Sequence, residues 1–309
     1  MKGSISQFCV LVAAATVTFV HGNPLLARAV APFGQRAIYT PASNYRTPKV
    51  LYPRSVKLND GSLLATWENY SPEPPKVYFP IYNSTDNGAS WKSLSTVQDT
   101  VNGWDTTNGK TPIWEPFLLL LNGALVVYYS DQRDPAYGQK IVHQSSTDGK
   151  NWGGVMNDVI SSIYTDRPGM PTIAALPNGR FIMTYENGRG NPYSFPVYYK
   201  IASNPTAFDS VAGTALRATD GTVPISSLYV AWSAAGGTSG TIIVSAGDNR
   251  PIFLNTQLGN VNSWTTRIVT IASGYSREVR ALDNVGAVMI LGAGPLGGNN
   301  YVSNAVINL

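Results

Sequence analysis

Two glutamates are the residues best placed to do chemistry. Glu115 lies between Trp114 and Pro116, ahead of Phe117-Leu118-Leu119-Leu120-Leu121, and Glu186 closes the run Met183-Thr184-Tyr185-Glu186. A carboxylate set among aromatic and apolar neighbours gains proton affinity, because burial disfavours its charged form. Such a group suits proton donation. Two of them converging on an aromatic-lined pocket are what glycoside hydrolysis requires: one protonates the leaving oxygen, the other stabilises or attacks the oxocarbenium centre. Arg54, Asp131, Arg133, Arg167 and Arg277 could bind hydroxyls or fix the carboxylates, and Glu68, Glu278 and Arg280 recur at matching places. Trp67, Trp104, Trp114, Tyr128, Tyr129 and Tyr185 offer flat faces to sugar C–H groups. Plainer readings compete at each position. A glutamate at a strand start can be solvated or paired with an arginine, an arginine can join a structural salt bridge, and most aromatics in sheets pack the core.

Other chemistries lack their residues. His21 and His143 are the only histidines and Cys9 the only cysteine, so a His-based metal site, a thiolate site and a cysteine nucleophile are not expected. No G-x-S-x-G elbow, P-loop or dinucleotide fingerprint occurs, and the glycines from Gly292 to Gly298 lack the strand-then-helix setting of a fingerprint. No cofactor and no metal is called for. The formal charge of +4 comes without a Lys/Arg-rich run, so neither nucleic acid nor an anionic membrane is an expected partner.

The elements that must position these side chains announce themselves by repetition. Asn59-Asp60-Gly61 precedes Ser62-Leu63-Leu64-Ala65-Thr66-Trp67-Glu68, Asn122-Gly123 precedes a run ending at Asp131, and Asn178-Gly179 precedes one ending at Glu186. Each reads as a turn feeding a half-buried strand. Looser copies follow Gly240 and Gly286, about sixty residues or somewhat fewer apart, which points to radial repetition. A second marker keeps step. Ser84 to Trp91 fits S-x-D-x-G-x-x-W, in which the Ser/Asp pair bonds the backbone and the Trp plugs between strands. Ser145 to Trp152 repeats it with Thr147 in the Asp place, and Ser203–Phe208 and Gly259–Trp264 are eroded versions. These Asp-box turns predict an all-β, sialidase-like β-propeller. Five turn-and-strand repeats are clear, and a sixth blade is expected from the Arg36–Pro48 region closing onto Tyr301–Leu309.

Gly 29, Pro 21 and Tyr 17 in 309 residues agree with short strands and many turns. Residues 1–22 carry an early Lys, an apolar run from Phe8 to Val20 and small residues near Gly22, the pattern of a secretory signal peptide. Residues 23–35 read as a lead-in and 36–309 as a single catalytic domain. A secreted, extracellular protein is expected, with no disulfide after loss of Cys9. Asn69 and Asn83 head permissible glycosylation sequons. Nothing demands more than a monomer.

The central motifs resemble one family closely. Trp114-Glu115-Pro116-Phe117, Tyr128-Tyr129-Ser130-Asp131-Gln132-Arg133-Asp134, Gly138-Gln139-Lys140, Arg167-Pro168-Gly169-Met170-Pro171 and Met183-Thr184-Tyr185-Glu186 are similar to those of glycoside hydrolase family 93. The likeness runs from about Tyr52 to Leu309 and includes Trp232 and Tyr275-Ser276-Arg277-Glu278. It implies a six-bladed propeller of the sialidase superfamily and a retaining exo-α-1,5-L-arabinanase, which takes arabinobiose from the non-reducing end of linear arabinan without metal. By the same resemblance Glu186 is the nucleophile and Glu115 the general acid/base. Retention implies carboxyl groups roughly 5–5.5 Å apart. Substrate contacts are expected from Arg54, Trp67, Trp114, Asp131, Arg133, Arg167, Tyr185 and Arg277. Two rivals stay open: a sialidase-type exo-glycosidase, which would gather arginines around a sugar carboxylate, and a non-catalytic carbohydrate-binding propeller.

Overall fold

The computed structural model describes residues 32–309 apart from 58–59, 73–76, 99–112, 148–150, 189–193, 248–250, 272–273 and 283–285. The leader assigned to residues 1–22 therefore lies outside the described residues. Among the described residues twenty strands form five antiparallel sheets of four. Blade 1 holds β2 (Val50–Lys57), β3 (Leu63–Tyr70), β4 (Val77–Ser84) and β5 (Lys92–Gln98); blade 2 holds β6 (Ile113–Leu121), β7 (Ala124–Asp131), β8 (Lys140–Ser146) and β9 (Met156–Val159). Blade 3 holds β10 (Gly169–Ala175), β11 (Phe181–Glu186), β12 (Val197–Ala202) and β13 (Thr214–Ala215). Blade 4 holds β14 (Tyr229–Ser233), β15 (Thr241–Ser245), β16 (Ile252–Asn255) and β17 (Trp264–Arg267). Blade 5 joins β18 (Glu278–Leu282), β19 (Ala287–Gly292) and β20 (Val302–Asn308) to β1 (Phe33–Tyr39) from the other end of the chain.

The fold is a β-propeller, and among the described residues the expected count of six blades is corrected to five. The expected closure is present, since β1 pairs with β20, but it completes the fifth repeat. Only residues 40–49 separate β1 from β2. That reach of at most about 36 Å cannot hold four further strands.

Local chemistry explains the hairpins. Between β6 and β7 the loop is Asn122-Gly123 with φ of 49° and 83°, the two-residue turn whose twist matches antiparallel strands and which Asn-Gly tolerates at little steric cost. The turn from Ser84 to Trp91 forms as its spacing predicts. Ser84 Oγ bonds Asp86 Oδ1 at 2.8 Å and accepts from Gly88 N at 2.8 Å, Ser90 N donates to Asp86 Oδ1 at 2.8 Å, and Trp91 Nε1 reaches Gly88 O at 3.0 Å. The second turn differs: Trp152 is 38% exposed, so it plugs nothing. Among the eroded copies, Asn255 Oδ1 takes the serine's place by accepting from Gln257 N and Gly259 N, and Trp264 is fully buried.

Apolar clusters fill the seams between blades 2 and 3, 3 and 4, 4 and 5, and 5 and 1. Among the described residues no comparable cluster fills the seam between blades 1 and 2. Phe117, Leu119 and Leu121 of β6 pack toward blade 3, so the alternate residues Leu118 and Leu120 face the other way and are exposed.

The first strands of neighbouring blades pack against one another, which places them innermost. Each carries or follows a residue in left-handed backbone: Tyr52, Glu115, Met170, Ser227 and Ser276, with φ between 50° and 59°. In the first three a proline follows and the pairing slips by a bulge. A bulge re-aims the peptide groups beside it, here toward the axis.

Candidate active site

Glu115 sits on the bulge of β6 and Glu186 at the end of β11, paired with Gly169. Each carboxylate is held from the next blade. Met170 N on blade 3 donates to Glu115 Oε2 at 2.7 Å, and Ser227 N beside blade 4 donates to Glu186 Oε2 at 2.7 Å. Glu278 repeats the arrangement, accepting from Ser55 N on blade 1 while pairing with Arg280 at 2.8 Å. Met170 and Ser227, both in left-handed backbone, thus aim their N–H groups at the carboxylate of the preceding blade.

Glu115 Oε2 also accepts from Ser130 Oγ at 2.7 Å. Burial still pushes the Glu115 carboxyl above its ordinary value, against those two hydrogen bonds and the charges of Arg167 and Arg54. Burial pushes Glu186 up to about 8, and the charge of Glu115 is the next cause. The charge of Glu115 thus opposes ionisation of Glu186, and burial raises the proton affinity of both. Tyr275 looks onto both: burial and then the charges of Glu115 and Glu186 raise its phenol, and it meets the Ser227 side chain and, at 3.4 Å, the Tyr52 hydroxyl.

Of the expected contacts, Arg54 and Arg167 reach the pair electrostatically. Arg54 is anchored to Ser276 O at 2.9 Å and lies 5.1 Å over the Tyr229 ring, and Arg167 Nη2 holds Gln139 Oε1 at 3.1 Å. Asp131 ends β7 almost buried, bound to Arg133 at 2.7 Å, whose side chain stays 45% exposed. Three residues belong elsewhere, which corrects their assignment as substrate contacts. Trp67 is 1% exposed, donates to Asn69 and packs against Tyr39 and Tyr82. Tyr185 stacks on Tyr198 inside the seam of blades 2 and 3, its hydroxyl where a Cβ on Gly213 would be. Arg277 is fully buried, its guanidinium donating to Ile271 O and Pro251 O, and burial lowers it to about 10. Trp114 contributes its backbone to β6; its side chain and all of Trp104 lie outside the described residues. Asn69 is 1% exposed with its amide facing Tyr39, so the first sequon offers no surface site.

Sequence reasoning passed over Ser130, Gln139, Ser227 and Tyr275. The Tyr-Ser-Arg-Glu run contained the signal for Tyr275; the backbone donors left none.

No protein-family profile and no curated protein matches the chain. Solved structures do. A Penicillium chrysogenum α-L-arabinanase complexed with arabinobiose is 39% identical, covering 90% of this chain and 98% of that one, with a TM-score of 0.86. The Fusarium graminearum family 93 α-L-arabinofuranosidase is 37% identical in complex with arabinobiose, with the same coverage and a TM-score of 0.85. With an iminosugar inhibitor it is 38% identical at 0.86. The chain belongs to glycoside hydrolase family 93. Family 93 proteins hydrolyse glycosidic bonds, so this family 93 protein is an enzyme of that kind and the reading as a non-catalytic propeller falls away.

Proposed function

We propose that this family 93 hydrolase is a retaining exo-α-1,5-L-arabinanase, exported and monomeric, that releases arabinobiose from the non-reducing end of linear arabinan. One observation carries the reading. Two carboxylates whose proton affinity burial raises, that of Glu186 further by the charge of Glu115, stand on β6 and β11 of a fold whose near relatives hold arabinobiose. Glu115 protonates the glycosidic oxygen as the bond to the anomeric carbon breaks, and Glu186 attacks that carbon to give a glycosyl ester. Glu115, now ionised, takes a proton from water, whose oxygen displaces Glu186. Arg54 and Arg167 hold positive charge beside the pair while it cycles between one proton and none. A sugar carboxylate, as a sialidase-type enzyme binds, would need clustered arginines, and Arg277 is locked inside a blade.

Both glutamates accept hydrogen bonds that favour the anion, Glu115 from Ser130 and Met170 and Glu186 from Ser227 and Ser226, so exchanged roles are the second reading. Azide decides between the two. A Glu→Ala variant rescued to an arabinosyl azide of inverted configuration has lost the nucleophile, and one rescued with retention has lost the acid/base. Incubation with linear arabinan tests the wider reading. Disaccharide from the outset is expected, and random oligosaccharides or free arabinose alone would contradict it. Glu115→Gln and Glu186→Gln are each expected to lower kcat by at least about 10³-fold, the scale of acid–base and nucleophilic contributions.

A further inference from the structure

The two oxygens of Glu115 are unequal. Oε2 accepts from both Ser130 Oγ and Met170 N at 2.7 Å, which fills its lone pairs in the carboxyl plane. Oε1 is therefore the oxygen left to exchange a proton or meet the sugar. Both donors are themselves braced. Ser130 is fully buried on β7, across the sheet from Trp114. Met170 stands at the start of β10, where the preceding Pro168 is pinned by Gln139, 4% exposed, whose Nε2 donates to Pro168 O at 2.9 Å and whose Oε1 accepts from Arg167 at 3.1 Å. Gly169 closes the arrangement: a Cβ there would stand 2.7 Å from Gln139 Nε2, 3.0 Å from Glu115 Oε2 and 3.3 Å from Ser130 Oγ. Three polar groups, from β6, from β7 and from the residue just before β8, converge on one side-chain-free carbon.

We propose that Ser130 and Gln139 are positioning residues, which clamp Oε2 of Glu115 and so dedicate Oε1 to the reaction. Neither residue touches the sugar in this arrangement. Ser130 acts directly on the carboxylate, and Gln139 acts through the Pro168 carbonyl, two residues before the Met170 N–H. The proposal rests on the reading that Glu115 serves glycoside hydrolysis.

The test is the pH dependence of kcat/KM on linear arabinotetraose for the unaltered protein, Ser130→Ala, Ser130→Thr and Gln139→Met. A hydroxyl that donates to a carboxylate stabilises the anion, so its loss raises the proton affinity of Glu115. The limb set by Glu115 moves upward by about one pH unit in Ser130→Ala, which is the alkaline limb if Glu115 is the acid and the acidic limb if it is the nucleophile. At the optimum kcat falls about tenfold with KM unchanged, since only the reacting group is loosened. Ser130→Thr restores the limb. Gln139→Met moves the same limb and carries the test should Ser130→Ala fail to fold. Limbs that stay in place in every folded variant overturn the proposal, even if kcat drops. No hydrolysis of arabinotetraose by the unaltered protein would instead sink the functional reading, so the two failures are distinguishable.

Discussion

At the residue scale, the groups that make the site reactive work against the fold. Glu186 binds its proton up to about pH 8 when folded, against an ordinary value of 4.5. Between those limits the folded chain holds more protons than the unfolded one, so stability falls as pH rises through that window. Glu186→Gln removes the conflict. Its Tm is expected to exceed that of the parent by several degrees at pH 8, from a difference on the order of a few kcal/mol, and to converge with it near pH 4. Calorimetry across that range checks this, and a pH-independent gap would show that Glu186 is not desolvated. The glutamates were legible because their neighbours in sequence are apolar or aromatic. Their tethers were not, since Met170 N and Ser227 N are backbone groups 55 and 41 residues away and any residue type supplies an N–H. Trp67, Tyr185 and Arg277 were misread for the opposite reason. Residue type is the same whether a side chain lines the axis or packs a seam, and alternation does not say which face is which.

At the scale of elements, the turns were legible where side chains bond their own backbone. Asp86 ties Ser84, Ser90 N and Ser90 Oγ together, all within four residues, so the S-x-D-x-G-x-x-W spacing carries the geometry. Asn255 does comparable work without matching the motif, and Trp152 matches it without being buried. Two substitutions separate what this turn contributes locally from what it contributes between blades. Asp86→Ala loses charge-assisted bonds at an open turn and is expected to destabilise by about 1 kcal/mol. Gly88→Ala is expected to do more, by about 2 kcal/mol or above. Its φ is 87°, and its Cβ would stand 2.8 Å from Asn304 Nδ2 and 3.0 Å from Met289 Sδ on blade 5. Urea unfolding ranks the two; the reverse order would mean that the turn does not brace the seam. The bulges of the inner strands were less visible. Tyr52-Pro53, Glu115-Pro116 and Met170-Pro171 share a proline, yet Ser227 and Ser276 reach the same backbone region without one.

Across the whole molecule, the sequence period announced a propeller but not how many blades close it. The resemblance and the Arg36–Pro48 region together suggested a sixth blade; in the structure β1 and β20 both enter the fifth, and among the described residues no apolar cluster lies between blades 1 and 2. The two ends do unequal work there. β20 lies inside its sheet with Val302, Ala305 and Val306 buried, whereas β1 is the outer strand and largely exposed, tied to neighbours by Arg36 to Ala89 O and by Gln35 to Tyr301 and Ser303. Removing residues 302–309 opens the cores of two seams and is expected to abolish folding. Removing residues 1–40 strips an edge, so the remaining chain is expected to fold with a lower Tm and to keep its hydrolytic activity, because Glu115 and Glu186 are tethered within blades 2 to 4. It also bares the hydrogen-bonding edge of β20, so aggregation that grows with protein concentration is expected. Circular dichroism, light scattering and turnover on arabino-oligosaccharides test these outcomes together. Equal loss of fold from both truncations would show that β1 is as essential to closure as the strand it covers.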